Sequence, residues 1–336
     1  MKVLVTGGTG YIGSHTCLRL VEEGHEVVVV DNVSNSSIES IKRVSQLTDT
    51  HIDVLEGDVR SKTRIDAVIA ETSPEAVIHF AGLKSVAESV RFPDKYYETN
   101  LGGTLNVARA ALQGNVAVVL FSSSATVYGE SASMPVDEGA ATEPTNPYGR
   151  SKLYAESVLR DLNAANPALS VGVLRYFNPV GAHPSGVIGE DPRGTPANLM
   201  PYVARVAAGT YPELSVYGDD YSTADGTGIR DYIHVMDLAD AHVKVMEYKA
   251  ENSGFETWNV GRGSGVSVLE MVSRFQEVTG KSVPTKIVPR RAGDVAVSFA
   301  NVSRIARDIG WSAKYELDDM VADLWHWQSQ NPEGYE

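Results

Sequence analysis

The sequence predicts an α/β protein, a doubly wound parallel sheet with a smaller mixed α/β domain attached. Two observations carry that expectation. Short Val- and Ile-rich runs alternate with helical periodicity over the first half of the chain, and the texture changes after about residue 178. The runs at 3–6, 26–30, 54–57, 76–80, 116–122 and 171–176 are predominantly apolar, as expected of strands covered on both faces. A helical pattern at 14–23 stops at Gly24, which suits a C-cap. Segments near 93–112 and 148–162 read as further helices. Such strand–helix alternation implies a parallel sheet with right-handed crossovers. From 178 to 198 there are four prolines and four glycines, so this stretch reads as long loops. Helical patterns resume at 199–208, 235–248, 267–279 and 317–328.

Composition narrows the function classes. The chain has 336 residues, 43% of them hydrophobic, and a formal net charge of -14. A chain of this length can bury a core that needs no disulfide or metal staple. The balance of 29 Lys+Arg against 43 Asp+Glu argues against a nucleic-acid partner. Apolar runs fall far short of the ~20 residues needed to cross a membrane. The single cysteine, Cys17, has no intrachain partner, and residues 1–5 lead straight into the first strand, so a cytoplasmic protein is expected. None of the eight histidines sits four residues from another or from a cysteine, so no metal site is expected.

Thr6-Gly7-Gly8-Thr9-Gly10-Tyr11-Ile12-Gly13 follows the first strand and opens a helix. Glycines there let backbone approach a pyrophosphate, and the helix N-terminus presents free N–H donors. Asp31 ends the next strand about 20 residues on, where a carboxylate accepts ribose hydroxyls and repels a 2′-phosphate. The sheet is therefore expected to be of the Rossmann type, with NAD as cofactor. The division expected is an NAD-binding domain over 1–180, joined by 228–262, and a substrate domain over 181–227 and 263–336.

Tyr148 and Lys152 form a Y-x-x-x-K pair. Asn146 suits an N-cap and Pro147 the first helical position, which puts both side chains on one helix face. A phenol titrates near ~10, so acting as a base near neutrality requires lowering it by ~3 units, roughly 4 kcal/mol. One nearby cation typically supplies ~1–3 units. Lys152 is one source, and the positive ring of a bound nicotinamide is another. Taken alone the spacing occurs often by chance. It gains weight from Phe121-Ser122-Ser123-Ser124-Ala125-Thr126-Val127-Tyr128-Gly129, just past a strand, where open parallel sheets bind ligands. Ser124 is placed there to bond the same substrate oxygen as Tyr148.

With these three features, and with the runs at 58–59, 79–84, 175–186, 226–235 and 325–328, the sequence resembles the extended short-chain dehydrogenase/reductase family, and within it the nucleotide-sugar epimerases, over essentially its whole length. The resemblance implies that Gly7, Gly10, Tyr11, Ile12 and Gly13 hold the pyrophosphate. Asp31, Asn32, Asn35 and Ser36 would hold the adenosine ribose, and Asp58 and Val59 would frame the adenine. Phe80, Ala81, Gly82, Lys84, Asn100 and Ser122 would lie along the cofactor. Thr99 stands where some relatives have asparagine, which leaves open whether it or Asn100 reaches the dinucleotide. Lys152 would also bond the nicotinamide ribose, with Phe177 packed beside the nicotinamide. Asn178, Asn198, Leu199, Arg230, Arg291 and Asp294 would take a UDP-hexose, and Ser215, Val216 and Tyr217 would line the uracil. Arginine forks suit phosphate, and a protein of this charge needs local positive groups to hold a sugar nucleotide.

The activity implied is NAD-dependent 4-epimerisation of UDP-galactose and UDP-glucose through a 4-keto sugar, with Tyr148, Lys152 and Ser124 as the catalytic set. Ser298 is small where some relatives carry tyrosine in the sugar pocket, which implies that UDP-GlcNAc and UDP-GalNAc fit as well. A homodimer through a four-helix bundle is also implied; the apolar residues Tyr96, Tyr97, Leu105, Val107 and Ala111, with Leu153, Tyr154, Val158 and Leu162, suggest a second buried face on two helices. Two alternatives stand beside this. A 4,6-dehydratase or decarboxylase of the same superfamily is one, although no carboxylate follows Ser124. A non-catalytic NAD(H)-sensing protein is the other, although it would not need Tyr148, Lys152 and Ser124 together.

Overall fold

Strand-by-strand alternation explains how the first sheet is covered. The structure, a computed structural model, describes residues 1–130, 133–196, 198–291 and 293–335. Seven strands are wholly parallel: β1 (Lys2–Thr6), β2 (Glu26–Asp31), β3 (Asp53–Glu56), β4 (Ala76–His79), β5 (Val118–Ser124), β6 (Ser170–Tyr176) and β10 (Phe255–Val260). Their order is β10-β6-β5-β4-β1-β2-β3, so the chain reverses direction across the sheet between β1 and β4. Val3 and Val5 pack in one core with Cys17, Leu18, Leu20, Ile41, Val44 and Val245. Leu4 packs in the other with Ile65, Ile69, Val107, Ala155 and Leu159. Adjacent strand residues thus enter opposite layers, which is why the strands read as continuous apolar runs. This is the expected Rossmann-type architecture.

One layer comprises α1 (Tyr11–Glu22), α2 (Glu39–Thr48) and α9 (Val235–Glu251); the other comprises α3 (Lys62–Thr72), α6 (Gly103–Gln113) and α7 (Pro147–Ala165). Local chemistry fixes the starts. Ser61 accepts from Arg64 N at the head of α3, and Asn146 accepts from Gly149 N at the head of α7, with Pro147 first in the helix. Gly24 takes a left-handed φ of 81° just beyond α1.

The single helix expected near 93–112 is broken. After α4 (Val86–Arg91), α5 (Pro93–Tyr96) passes into a π-helical turn over Tyr97–Gly102 before α6 begins. Its extra residue per turn brings Asn100 to 2% exposure, between the loop after β4 and α7.

The second sheet joins β7 (Asn178–Val180), β9 (Ile229–His234), β11 (Gly265–Ser267) and β13 (Val297–Ser298), while β8 (Leu214–Tyr217) pairs with β12 (Thr285–Val288). The 178–198 stretch expected as loop therefore begins with a strand, specified by long-range pairing to β9. Of residues 228–262, β9 lies in this second sheet, whereas α9 and β10 pack on the first. Helices α8 (Leu199–Ala207), α10 (Val268–Thr279) and α12 (Leu317–Gln330) share a core built on Met200, Val203, Met271, Phe275, Met320 and Leu324. The chain also forms α11 (Ser303–Ile309), whose Ile305 enters the first core. Among the described residues no helix is long and apolar enough to cross a membrane.

Candidate active site

The turn between β1 and α1 is tight enough to demand its glycines. Gly7 has φ 71°, and a Cβ on it would stand 2.6 Å from Ala81 N; a Cβ on Gly13 would stand 2.4 Å from Gly7 O. Gly10 caps α1 without a side chain, leaving the first amides, from Tyr11 to Gly13, to an incoming anion. The cradle fits a dinucleotide pyrophosphate. The Tyr11 hydroxyl is committed to Gly181 O at 2.6 Å, so this residue offers its main chain.

At the end of β2, Asp31 is fixed by Thr9 N at 3.1 Å and Val33 N at 2.8 Å, with the Ser36 hydroxyl at 3.4 Å. Asn32 donates to Asp58 at 2.9 Å. The Arg60 guanidinium holds the Asp58 carboxyl well below the usual carboxylate range. Asn35 is exposed beside this cluster, and Val59 is buried. These residues form an acidic, ribose-sized edge that suits NAD.

The residues expected to be catalytic lie at and beside the carboxyl end of β5. Lys152 Nζ donates to Ser122 O at 2.7 Å and lies 4.9 Å from the Phe121 ring centre. A Cβ on Gly82 would come within 3.0 Å of Asn100 Oδ1 and 3.7 Å of Lys152 Nζ, so Gly82, Asn100 and Lys152 form one wall. Ser124 Oγ accepts from Thr126 N and Thr126 Oγ1 at 3.2 and 3.0 Å, and the Ser124 side chain acts on the Tyr148 phenol in the direction of lowering it. Tyr96 meets the Tyr148 ring edge to face at 6.4 Å. Phe177 is buried nearby in chain order past β6, its N–H on Val260 O at 3.1 Å. Phe80 packs on His242 at 4.7 Å.

Titration behaviour refines the sequence reading. Burial pushes the Tyr148 phenol above its ordinary value, and the bond from Ser124 offsets this only in part. Burial pulls the Lys152 ammonium down to about 8. The lowering of the phenol expected from Lys152 is thus absent from the protein alone. His79 is satisfied on both nitrogens, by Thr6 Oγ1 at 2.6 Å and Thr104 Oγ1 at 3.0 Å, as a core histidine.

Several other residues expected at the ligands also bond within the protein. Asn100 binds Leu83 through both main-chain groups, at 2.7 and 3.1 Å, and Ser151 Oγ at 2.9 Å, so its amide is committed to the protein. The Ser122 hydroxyl is taken by Tyr176 at 2.5 Å. The Val216 side chain lies in the core of the second unit, so only its main chain remains for a base.

On the second sheet, Arg230 of β9 is in register with Ser298 of β13, and Asn178 of β7 with Tyr232 two residues further along β9. A separate cluster joins Tyr217, Arg291 and Asp294: the guanidinium lies 4.5 Å over the Tyr217 ring and donates to Asp294 at 3.1 Å. Asn198 precedes Leu199, the first residue of α8, and its amide donates to Glu190 at 3.3 Å. Lys84 meets the same carboxylate oxygen at 3.0 Å. Glu190 is the residue sequence reasoning missed, since a lone acid in a loop carries neither period nor spacing. Among the described residues no group of histidines, cysteines and carboxylates is placed to hold a metal.

The model of the NAD dependent epimerase/dehydratase family matches residues 3–261. A UDP-glucose 4-epimerase of Bacillus subtilis (strain 168) is 53% identical over 335 residues, covering 100% of this chain and 99% of the relative. The crystal structure of UDP-glucose 4-epimerase from Bifidobacterium longum in complex with NAD+ and UDP superposes with a TM-score of 0.96 at 48% identity, covering 99% and 100% of the two chains. A UDP-glucose-4-epimerase from Stenotrophomonas maltophila with bound NAD and formylated UDP-arabinopyranose gives 0.96 at 49% identity, with 99% of each chain covered.

Proposed function

This chain belongs to the NAD dependent epimerase/dehydratase family, and from that premise we propose that it interconverts UDP-galactose and UDP-glucose by epimerisation at C4 with NAD as cofactor. The observation that carries the reading is the buried Lys152, which donates to Ser122 O at 2.7 Å in the wall it forms with Gly82 and Asn100, one helical turn from a buried Tyr148 whose phenol the Ser124 hydroxyl acts on. Bound NAD supplies a hydride acceptor and donor for C4. Tyr148 Oη takes the proton of the 4-hydroxyl and later returns it, while Ser124 shares the bond to that oxygen. Lys152, anchored on Ser122 O, would bond the ribose. Arg230 grips the diphosphate and the Tyr217–Arg291–Asp294 cluster grips the uridine, so the sugar, as a 4-keto species, is free to turn about its link to UDP. The Gly7–Gly13 cradle and Asp31 hold the dinucleotide throughout, because no second redox partner renews it.

Incubation with UDP-galactose and no added NAD yields UDP-glucose under this proposal. Tyr148→Phe lowers kcat at least ~100-fold, as loss of a general base does, with the bound dinucleotide retained. Tyr148→Phe turning over at the parental rate refutes the assignment.

Finer features belong to the same proposal. Ser298, half-buried beside Arg230, leaves room for a 2-acetamido group, so UDP-GalNAc is turned over; a rate under about 1% of that on UDP-galactose counts against this, steric exclusion being worth ~3 kcal/mol at that ratio. A homodimer through a four-helix bundle is supported by the exposed Tyr154 of α7, stacked at 6.1 Å on Tyr97, and by exposed Val90 and Phe92; light scattering at twice the chain mass checks it. Of the residues expected on that face, Tyr96, Val107 and Ala111 are instead spent on the chain's own core. The buried, unpaired Cys17 supports a reducing, cytoplasmic setting, which fractionation tests.

A further inference from the structure

Glu190 lies at the bottom of the loop after β7, only 7% exposed. Its Oε1 accepts from two side chains that arrive from different parts of the fold, Lys84 Nζ at 3.0 Å and Asn198 Nδ2 at 3.3 Å. Lys84 closes the loop after β4, two residues beyond Gly82 at the wall made by Asn100 and Lys152. Asn198 heads α8 yet makes no side-chain cap bond to its own helix, and its Nδ2 donates to the carboxylate. The main chain around Glu190 is held independently. Its carbonyl accepts from Trp327 Nε1 at 3.2 Å, and Gly189 exchanges two bonds of 3.0 Å with the Tyr335 hydroxyl. The carboxylate is therefore fixed, whereas the Lys84 side chain is half exposed. A lone buried negative charge in a cleft that must accept two diphosphates would repel both, so the Lys84 ammonium is also its neutralising partner.

We propose that Glu190 is a positioning residue that ties the dinucleotide side of the cleft to the sugar-nucleotide side, by presenting Lys84 to one and Asn198 to the other from a single oxygen. This rests on the function proposed above. Glu190 touches neither ligand itself; it acts through its two partners.

The test uses the holoenzyme and the variants Glu190→Gln, Lys84→Met and the double variant. Calorimetric titration with UDP reads the sugar-nucleotide side, and NAD remaining per chain after gel filtration reads the dinucleotide side. Glu190→Gln weakens UDP binding about tenfold and lowers retained NAD, with the KM for UDP-galactose rising by more than kcat falls. The double variant is no worse than Lys84→Met alone in NAD retention, since the carboxylate acts there through that lysine. Unchanged UDP affinity, NAD retention at the parental level, or additive losses in the double variant each overturn the proposal. So does a lowered thermal midpoint with both affinities intact, which is what a purely structural carboxylate would give. Should the parent protein fail to convert UDP-galactose, the proposed function falls, while the UDP and NAD measurements still judge Glu190.

Discussion

Lys152 shows at the scale of one residue how the site is maintained against the preference of the fold. Its ammonium is 5% exposed, and burial takes it from 10.5 to about 8. That difference, which already includes the opposing pull of the Glu156 carboxylate, is roughly 3 kcal/mol against the charged form at neutral pH. Lys152→Met therefore leaves the ligand-free protein at least as stable as the parent at pH 7, while turnover falls at least ~100-fold. The pH dependence has a definite sign. Between about 8 and 10.5 the unfolded chain binds this proton and the folded chain does not, so the parent gains stability as pH rises through that window. Urea unfolding at pH 7 and pH 10 checks both points: the advantage of Lys152→Met shrinks at the higher pH. An advantage that grew would show that burial does not govern this lysine.

Among the elements, the π-helical turn over Tyr97–Gly102 does the least conspicuous and most consequential work, because it delivers Asn100 to the Leu83 main chain and Ser151. Asn100→Ala strips Leu83 N–H and C=O of their partner and costs about 2–3 kcal/mol in denaturant unfolding; a loss under about 0.5 kcal/mol would contradict the role given to that amide. This turn was invisible in the sequence, since one extra residue per turn leaves no mark on an apolar pattern. The strands were readable because parallel strands covered on both faces must be Val- and Ile-rich, and the head of α7 because Asn146 and Pro147 have few other uses. Strand β7 was missed because its pairing to β9 lies more than fifty residues away in the chain. Tyr148, Lys152 and Ser124 were legible as candidates through the local spacing of a helix and a strand end. Glu190 was not, because its two partners come from the loop 106 residues before it and from the helix head eight residues after it.

For the whole molecule, the C-terminal segment works as a clasp between the two units. Arg43 of α2 donates to Asn331 Oδ1 at 2.6 Å and Val187 O at 3.1 Å, and its guanidinium lies 5.1 Å from the Tyr335 ring and 5.8 Å from that of Trp327. Arg193 reaches back from the loop after β7 to Ser36 O at 2.7 Å, beside the Asp31 cluster. Arg43→Ala lowers stability by about 2 kcal/mol and speeds tryptic cleavage at Arg193, read by mass spectrometry; unchanged cleavage would show that the clasp does not restrain this loop. The position of β10 carries a different consequence, one for biosynthesis. The sheet is complete only when residues 255–260 lie against β6. While the ribosome works through the preceding eighty residues, β6 presents a bare hydrogen-bonding edge of the kind that recruits other nascent chains. A chaperone that shields strand edges would find its substrate in this interval, before translation supplies the last strand.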